Sequence, residues 1–324
     1  MKRILGIGNA LVDALYPLEN EQILQGLGLQ KGAMQLIDAA RFEALRGSLS
    51  DAHCTKTTGG SACNTILALA RLGASAGLVG RIGRDDNGRF FHDSFVAAGV
   101  EPHLMTADEP TGVASTFITP DGERTFGTFL GAAALMRAGD LASDWYKGYS
   151  YIYIEGYLVQ NHALIARLVD EAHRAGLMVC LDLASYNIVE AERDFFAELL
   201  QKTDIVFANE EEAKAFAGCS AREALDMLAQ TCRVAVVKVG AEGALAKSGA
   251  DWAAVPAEPV SKVVDTTAAG DYFAAGFLYA HATGRPLADC LAAGAKLAAE
   301  VIRVVGTRLT DDVWQQLRHA VCHE

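Results

Sequence analysis

Short apolar runs recur along the chain at Ile4–Ile7, Ser75–Gly80, Tyr151–Glu155, Met178–Leu183, Ile205–Ala208 and Val234–Val239. Between them, apolar positions return every three or four residues, the spacing of amphipathic helices. A continuous apolar run is a strand buried on both faces, and strands alternating with helices make a parallel sheet covered on either side. The pattern therefore predicts a three-layer α/β/α architecture with a mainly parallel central sheet. Two stretches break the rhythm, at roughly 15–58 and 113–130. In the second, Val113 to Phe126 alternates and turns at Pro120-Asp121-Gly122, which reads as a β-hairpin. Joined by a strand such as Ala33–Ile37, it predicts a small sheet inserted into one domain spanning 1–324.

Candidate chemistry sits where apolar runs meet helices. Val263 to Asp271 is a strand-like segment running through the small residues Ala268, Ala269 and Gly270 into an apolar helix. The first N–H groups of a helix lack intrahelical partners and favour a phosphate or a developing oxyanion. A carboxylate there, Asp271, repels an anion unless it is present to take a proton from an attacking hydroxyl, the pairing that phosphoryl transfer to an alcohol needs. A carboxylate that merely complements the helix dipole is the alternative. A second junction is Gly59-Gly60 with Asn64 ahead of an amphipathic helix; it suits a polyol or a plain glycine turn equally. At a third, Asn209 and Glu212 stand three apart after a buried-looking strand. They read either as capping or as the outer-sphere organisation of a magnesium nucleotide through water.

Taken together, these motifs resemble the PfkB or ribokinase family of carbohydrate and nucleoside kinases over nearly the whole chain. The resemblance is carried by Gly8-Asn9-Ala10-Leu11-Val12-Asp13, the Gly59-Gly60 turn with Asn64, Gly80-Arg81-Ile82-Gly83-Arg84-Asp85, Asn209 with Glu212, Lys238-Val239-Gly240-Ala241-Glu242-Gly243, and Asp265 through Asp271. It implies a ribokinase-like fold whose small sheet is a lid that excludes water. It further implies that Asp271 is the base and that the N–H groups of Ala268, Ala269 and Gly270 stabilise the transferring group, with Arg124 neutralising phosphate. Asn9, Leu11, Asp13, Gly59, Gly60 and Asn64 would hold the acceptor. Asn209, Lys238, Gly240, Gly243, Asp265 and Thr266 would face ATP, and Glu212 with Asn209 would reach Mg2+ through water. Potassium activation follows from the same likeness, whereas a homodimer through the lid is expected from the exposed edge of the small sheet. One departure is Ala268, where the family usually carries Gly; a positive φ there would cost roughly 1 kcal/mol or more.

Composition fits such an enzyme: 324 residues, 51% hydrophobic and 21% charged, bury a large core. No apolar run approaches the ~18 residues needed to cross a bilayer, so a cytoplasmic location is expected. A net charge of −12 argues against nucleic acid and anionic membrane as partners. Seven scattered cysteines without a Cys-x-x-Cys pair read as buried small hydrophobes rather than a disulfide framework. His319 and His323, an i, i+4 pair at the C-terminal end, are assigned no function. Glu155 and Asp182 at strand ends are expected to cap following helices or to pair with surface lysines.

For the acceptor, Gly8 to Asp13, Glu155-Gly156-Tyr157 and Phe129 to Ala134 resemble the adenosine-kinase branch, with Leu11 packing on a base. The resemblance thus favours an adenosine-like nucleoside over a free or phosphorylated sugar, both being small molecules. A catalytically silent nucleotide- or sugar-binding regulator is the rival from another class. A Rossmann dehydrogenase is disfavoured because Gly6-Ile7-Gly8 lacks a third glycine opening a helix.

Overall fold

The computed structural model describes residues 2–49, 53–121 and 123–322. In chain order its strands are β1 (Ile4–Ile7), β2 (Leu11–Pro17), β3 (Met34–Leu36), β4 (Thr55–Gly59), β5 (Ala76–Gly83), β6 (Glu101–Ala107) and β7 (Thr111–Ile118). There follow β8 (Arg124–Gly131), β9 (Tyr151–Ile154), β10 (Met178–Asp182), β11 (Ile205–Asn209), β12 (Val234–Lys238), β13 (Ala244–Ser248) and β14 (Asp251–Val255). Nine of them form one sheet in the order β14-β13-β12-β11-β10-β9-β1-β5-β6, parallel from β12 to β6.

Successive residues of a strand point to opposite faces, and here both faces are dry. Ile4, Tyr151, Tyr153 and Phe207 join one core with the helix Ala269–Ala282, whereas Leu5, Ile152, Ile154 and Val206 join another on the far side. Helices on both faces complete the three layers. The six strands expected from apolar runs are all present, and β5 extends three residues further than the run suggests. Strands β6, β13 and β14 went unforeseen because they lie near or at sheet edges, where burial is partial and the apolar signal fades. β6 even carries Pro102, which an edge tolerates.

The remaining strands build a second sheet in the order β3-β8-β7-β2-β4. It begins at Leu11 rather than near 15, because the chain leaves β1 through Gly8-Asn9-Ala10 and resumes alternation at once. The expected hairpin forms with Ile118 opposite Arg124; Gly122 of its turn lies outside the described residues, as does His323. One face of this sheet is sealed: Ala14, Val113 and Phe129 pack on Ile37, Phe42 and Leu45, the last two on the helix Ala39–Ser48. No described helix is long and apolar enough to cross a membrane. All seven cysteines are free, but only Cys63, Cys180, Cys232 and Cys290 are buried; Cys54, Cys219 and Cys322 are partly exposed, which corrects the uniform burial expected of them.

Candidate active site

The helix Ala269–Ala282 is apolar nearly all round and buried, so it is fixed in place by the core it fills. Its N-terminus opens on a cavity of ≈ 870 Å³. Ala268, the residue before the helix, has φ 60°, the left-handed conformation whose cost the sequence raised. Asp271, in the first turn, accepts hydrogen bonds from Ser61 Oγ at 2.7 Å and Asn64 Nδ2 at 2.9 Å. Both donors lie on one face of the helix Ser61–Arg71, three residues apart. Thr65 Oγ1 ties the same helix to the Asp271 carbonyl at 3.1 Å. Burial pushes the Asp271 carboxyl up to about 6; the Ser61 and Asn64 bonds oppose the shift, Asp182 adds to it and Lys238 opposes it. Of the three N–H groups expected to face an anion, that of Ala269 already donates to Thr266 O at 3.2 Å. The N–H groups of Gly270 and Asp271, without intrahelical acceptors, are the ones the helix geometry offers.

The second sheet does not line this cavity; it meets the loop ahead of the helix through Arg124. Asp13, expected to hold the acceptor, lies within β2, and its carboxyl is pushed up to about 7 by burial and by Asp271, with Arg124 opposing. A Cβ on Gly59, in β4 beside it, would stand 2.1 Å from Asp13 Oδ1. Gly60 has φ +96°, and a Cβ there would meet Asn9 O at 2.1 Å, so this turn admits only glycine. Arg124 of β8 pairs with Asp265 at 2.9 Å and donates to Thr267 Oγ1 at 3.3 Å. Asp265 also accepts from the N–H groups of Thr267 at 3.0 Å and Gly306 at 2.7 Å, so its carboxylate organises the loop ahead of the helix.

Register shows which residues of the second sheet share a face with Arg124 and Asp13. Met34 pairs with Phe126 and Leu36 with Thr128, and Arg124, Phe126 and Thr128 alternate onto one face of β8. Met34, Leu36 and Phe126 therefore share the face that carries Arg124 and, through β7, Asp13. Met34 and Leu36 are 53% and 57% exposed, an apolar strip left open on the site side of the sheet.

Along the cavity, Asn209 and Glu212 form a reciprocal cap: Asn209 Oδ1 accepts from Glu212 N, and the Glu212 carboxylate accepts from Asn209 N and Nδ2 at 2.8 and 2.7 Å. Burial pushes Glu212 up to about 7, with Asp182 adding to the shift and Lys238 opposing it. Lys238, Gly240, Gly243 and Thr266 line the cavity with Ala268, Ala269 and Gly270. Its far wall is apolar, with Val260, Val263, Ala295, Ala298 and Ile302.

The roles expected of Glu155 and Asp182 are corrected. The Glu155 side chain makes no cap bond to the turn that follows and meets no lysine among the described residues; it is 2% exposed and accepts from Asn9 Nδ2 at 2.5 Å and Ala62 N at 3.1 Å. It thus anchors the start of the Ser61 helix, with Asn9 serving as its partner. Burial holds its pKa at about 7 against those two bonds. Asp182 does bind a lysine, but the cavity-lining Lys238, at 3.2 Å. Ser61, Glu155, Asp182, Met34, Leu36 and Phe126 are the site residues that sequence reasoning passed over or misjudged; only Ser61, at i, i+3 from Asn64, left a readable signal.

The chain is similar to known kinases in sequence and fold. The model of the pfkB family carbohydrate kinases matches residues 32–314. An adenosine kinase from Schizophyllum commune is 29% identical over 332 residues, covering 94% of this chain and 96% of that one. An aminoimidazole riboside kinase from Salmonella typhimurium is 30% identical over 240 residues, 69% of this chain and 73% of that one. Among solved structures, an adenosine kinase from Sinorhizobium meliloti superposes with a TM-score of 0.88 at 34% identity, covering 98% of this chain and 99% of that one. A probable sugar kinase from Rhizobium etli gives 0.88 at 34%, with 98% of each chain covered.

Proposed function

Since the chain belongs to the pfkB family of carbohydrate kinases, has the ribokinase-like fold and is a phosphotransferase with a hydroxyl acceptor, we propose that it transfers the γ-phosphoryl group of ATP to a primary hydroxyl of a nucleoside. The observation that carries this reading is the Asp271 carboxylate, held by Ser61 and Asn64 at a helix mouth that opens on the cavity. A base with a pKa of about 6 is ionised at neutral pH yet basic enough to take a hydroxyl proton in the transition state.

Asp271 takes the proton as the acceptor oxygen attacks phosphorus and the bond to the ADP leaving oxygen breaks. The helix N–H groups and Arg124 balance the charge on the phosphoryl oxygens. Asp13 and Asn64 hold acceptor hydroxyls. Asn64 Oδ1 is buried without a donor, so a substrate hydroxyl has an acceptor ready for its hydrogen. Gly240, Gly243, Thr266 and the apolar wall take the nucleotide. Asn209 and Glu212 already satisfy one another, so they suit a magnesium ion that keeps its waters, which supplies charge neutralisation to the phosphates when bound. The second sheet is read as a lid over the acceptor, formed from 11–17, 34–36, 55–59, 111–118 and 124–131.

The acceptor class rests on the strip of Met34, Leu36 and Phe126, beside the polar Asp13 and Asn64. A molecule with a hydroxylated ring and a flat apolar group matches both halves. The similarity to adenosine kinases supports the same choice. Seven free cysteines support a reducing, cytoplasmic setting. The test is ATP-dependent phosphorylation of a panel of nucleosides, free sugars and sugar phosphates, read by mass spectrometry with Mg2+ and K+ present and each then omitted. A phosphorylated nucleoside is expected. A product from a sugar alone would keep the mechanism and overturn the acceptor; no product, with ATP still bound, would favour a silent binding protein.

A further inference from the structure

Lys238 ends β12 with its side chain turned into the cavity rather than to solvent. Its Nζ stands 3.0 Å from where a Cβ on Gly270 would lie, so the ammonium rests against the second residue of the helix that ends the cavity. Asp182, Glu212 and Asp271 all act on it, and the first two are not equivalent. Glu212 spends both oxygens on Asn209, whereas Asp182 Oδ2 accepts from Lys238 at 3.2 Å. Asp182 is itself held: its Oδ1 accepts from Ala184 N at 2.9 Å. Ala184 has φ 67°, one of two non-glycine residues with positive φ among the described residues, and both line this cavity. Strained backbone of this kind persists where the surroundings fix it, and it concentrates at working sites.

We propose that the Lys238 ammonium is a catalytic group that meets the phosphoryl oxygens as charge develops on them, and that Asp182 is the positioning residue that aims it at the Gly270 end of the helix. This rests on the phosphoryl-transfer reading and goes beyond a lysine that only lines the nucleotide. An ammonium that only bound ATP would strengthen ground state and transition state alike; one aimed at the helix mouth acts where charge appears during transfer. Burial alone would favour the neutral amine, but the carboxylates of Asp182 and Glu212 outweigh it and keep the group charged. Ser61 and Asn64 hold Asp271 at the same helix mouth, and Ser61, Lys238, Gly270 and Asp271 all line one cavity, so the base and the ammonium meet at the same place.

The test uses the full chain with Mg2+, and the variants Lys238→Met, Asp182→Asn and the two combined. ATP affinity is measured by calorimetry, turnover with adenosine by product formation, and capture of ADP with aluminium fluoride by the same calorimetry. Lys238→Met should leave ATP affinity within about threefold while lowering kcat about 100-fold, the scale seen for removal of one transition-state donor. Asp182→Asn should lower kcat about tenfold with KM for ATP nearly unchanged. The combined variant removes both buried charges and so avoids an unpaired carboxylate; it should melt like wild type and remain as slow as Lys238→Met. Wild-type turnover in the combined variant would overturn the proposal, as would ATP affinity falling in step with kcat. If adenosine is not phosphorylated by the wild type, the acceptor reading fails and the aluminium fluoride complex decides: loss of at least tenfold in its affinity in Lys238→Met supports the role, and equal affinity refutes it.

Discussion

Ser61→Ala isolates the electrostatics of the Asp271 carboxylate. The substitution places a good helix former at the first position of the Ser61–Arg71 helix, so the backbone has no reason to move. It removes one O–H donor 2.7 Å from Asp271 Oδ1 and leaves the Asn64 bond intact. A hydrogen bond to a charged group is worth about 1.5–3 kcal/mol, and one pKa unit is about 1.4 kcal/mol, so full loss would raise the carboxyl by roughly one to two units. Ser61 borders the cavity, where water can replace part of the bond, so a rise of about one unit is expected. The sign is fixed by the base being active only when ionised: kcat/KM falls as pH drops through about 6 in the wild type, and the variant meets that fall about one unit higher. Profiles from pH 5 to 9 with saturating ATP and a limiting nucleoside measure it. An acid limb at the same pH in both proteins would refute the electrostatic account of Asp271, as would a wild-type rate that is flat to pH 5.

Asp271→Asn should bind ATP normally and lose turnover by orders of magnitude, since it keeps the helix mouth and deletes the base; single-turnover kinetics beside calorimetry will tell. Ala268→Gly should raise stability: the left-handed alanine costs about 1–2 kcal/mol, glycine returns about 0.5–1 kcal/mol as chain entropy, and a net gain of about 0.5–1 kcal/mol should move the urea midpoint upward at unchanged slope. Gly59→Ala forces a methyl against Asp13, so KM for the acceptor should rise at least tenfold while ATP affinity holds; an unchanged KM would remove Asp13 from the acceptor site. The free protein should melt higher at pH 5 than at pH 8. Asp13, Glu155 and Glu212 at about 7 and Asp271 at about 6 bind protons more tightly folded than unfolded, so stability falls as pH rises from about 4 to about 7.

The parallel sheet was legible because strands buried on both faces announce themselves as apolar runs, and the Asp271 junction because a helix mouth is local in sequence. What it meets was less so. Ser61 and Asn64 reach Asp271 across more than 200 positions, and only their shared helix face hinted that they act together. Glu155 and Asp182 misled for a related reason: capping and surface pairing are the commonest fates of strand-end carboxylates, whereas here Asn9 and Ala62 reach Glu155, and Lys238 reaches Asp182, from other elements of the fold. Asn209 and Glu212 show the converse. Their spacing suited either a cap or a metal shell; the cap is present, and it fixes the carboxylate at the cavity wall. Met34 and Leu36 needed the register with β8, because alternation tells which residues share a face and not which face looks at the site.

Asp13 lies in the small sheet and Asp271 on a helix packed against the large one, yet the charge of Asp271 is felt at Asp13. If the small sheet is the proposed lid, closing it over an empty site gathers two buried acids in one dry space, where burial and the field of Asp271 already disfavour the charged form of Asp13. On that reading, a molecule offering a hydroxyl to each carboxylate would act as the cement between the layers, and closure would wait on the alcohol.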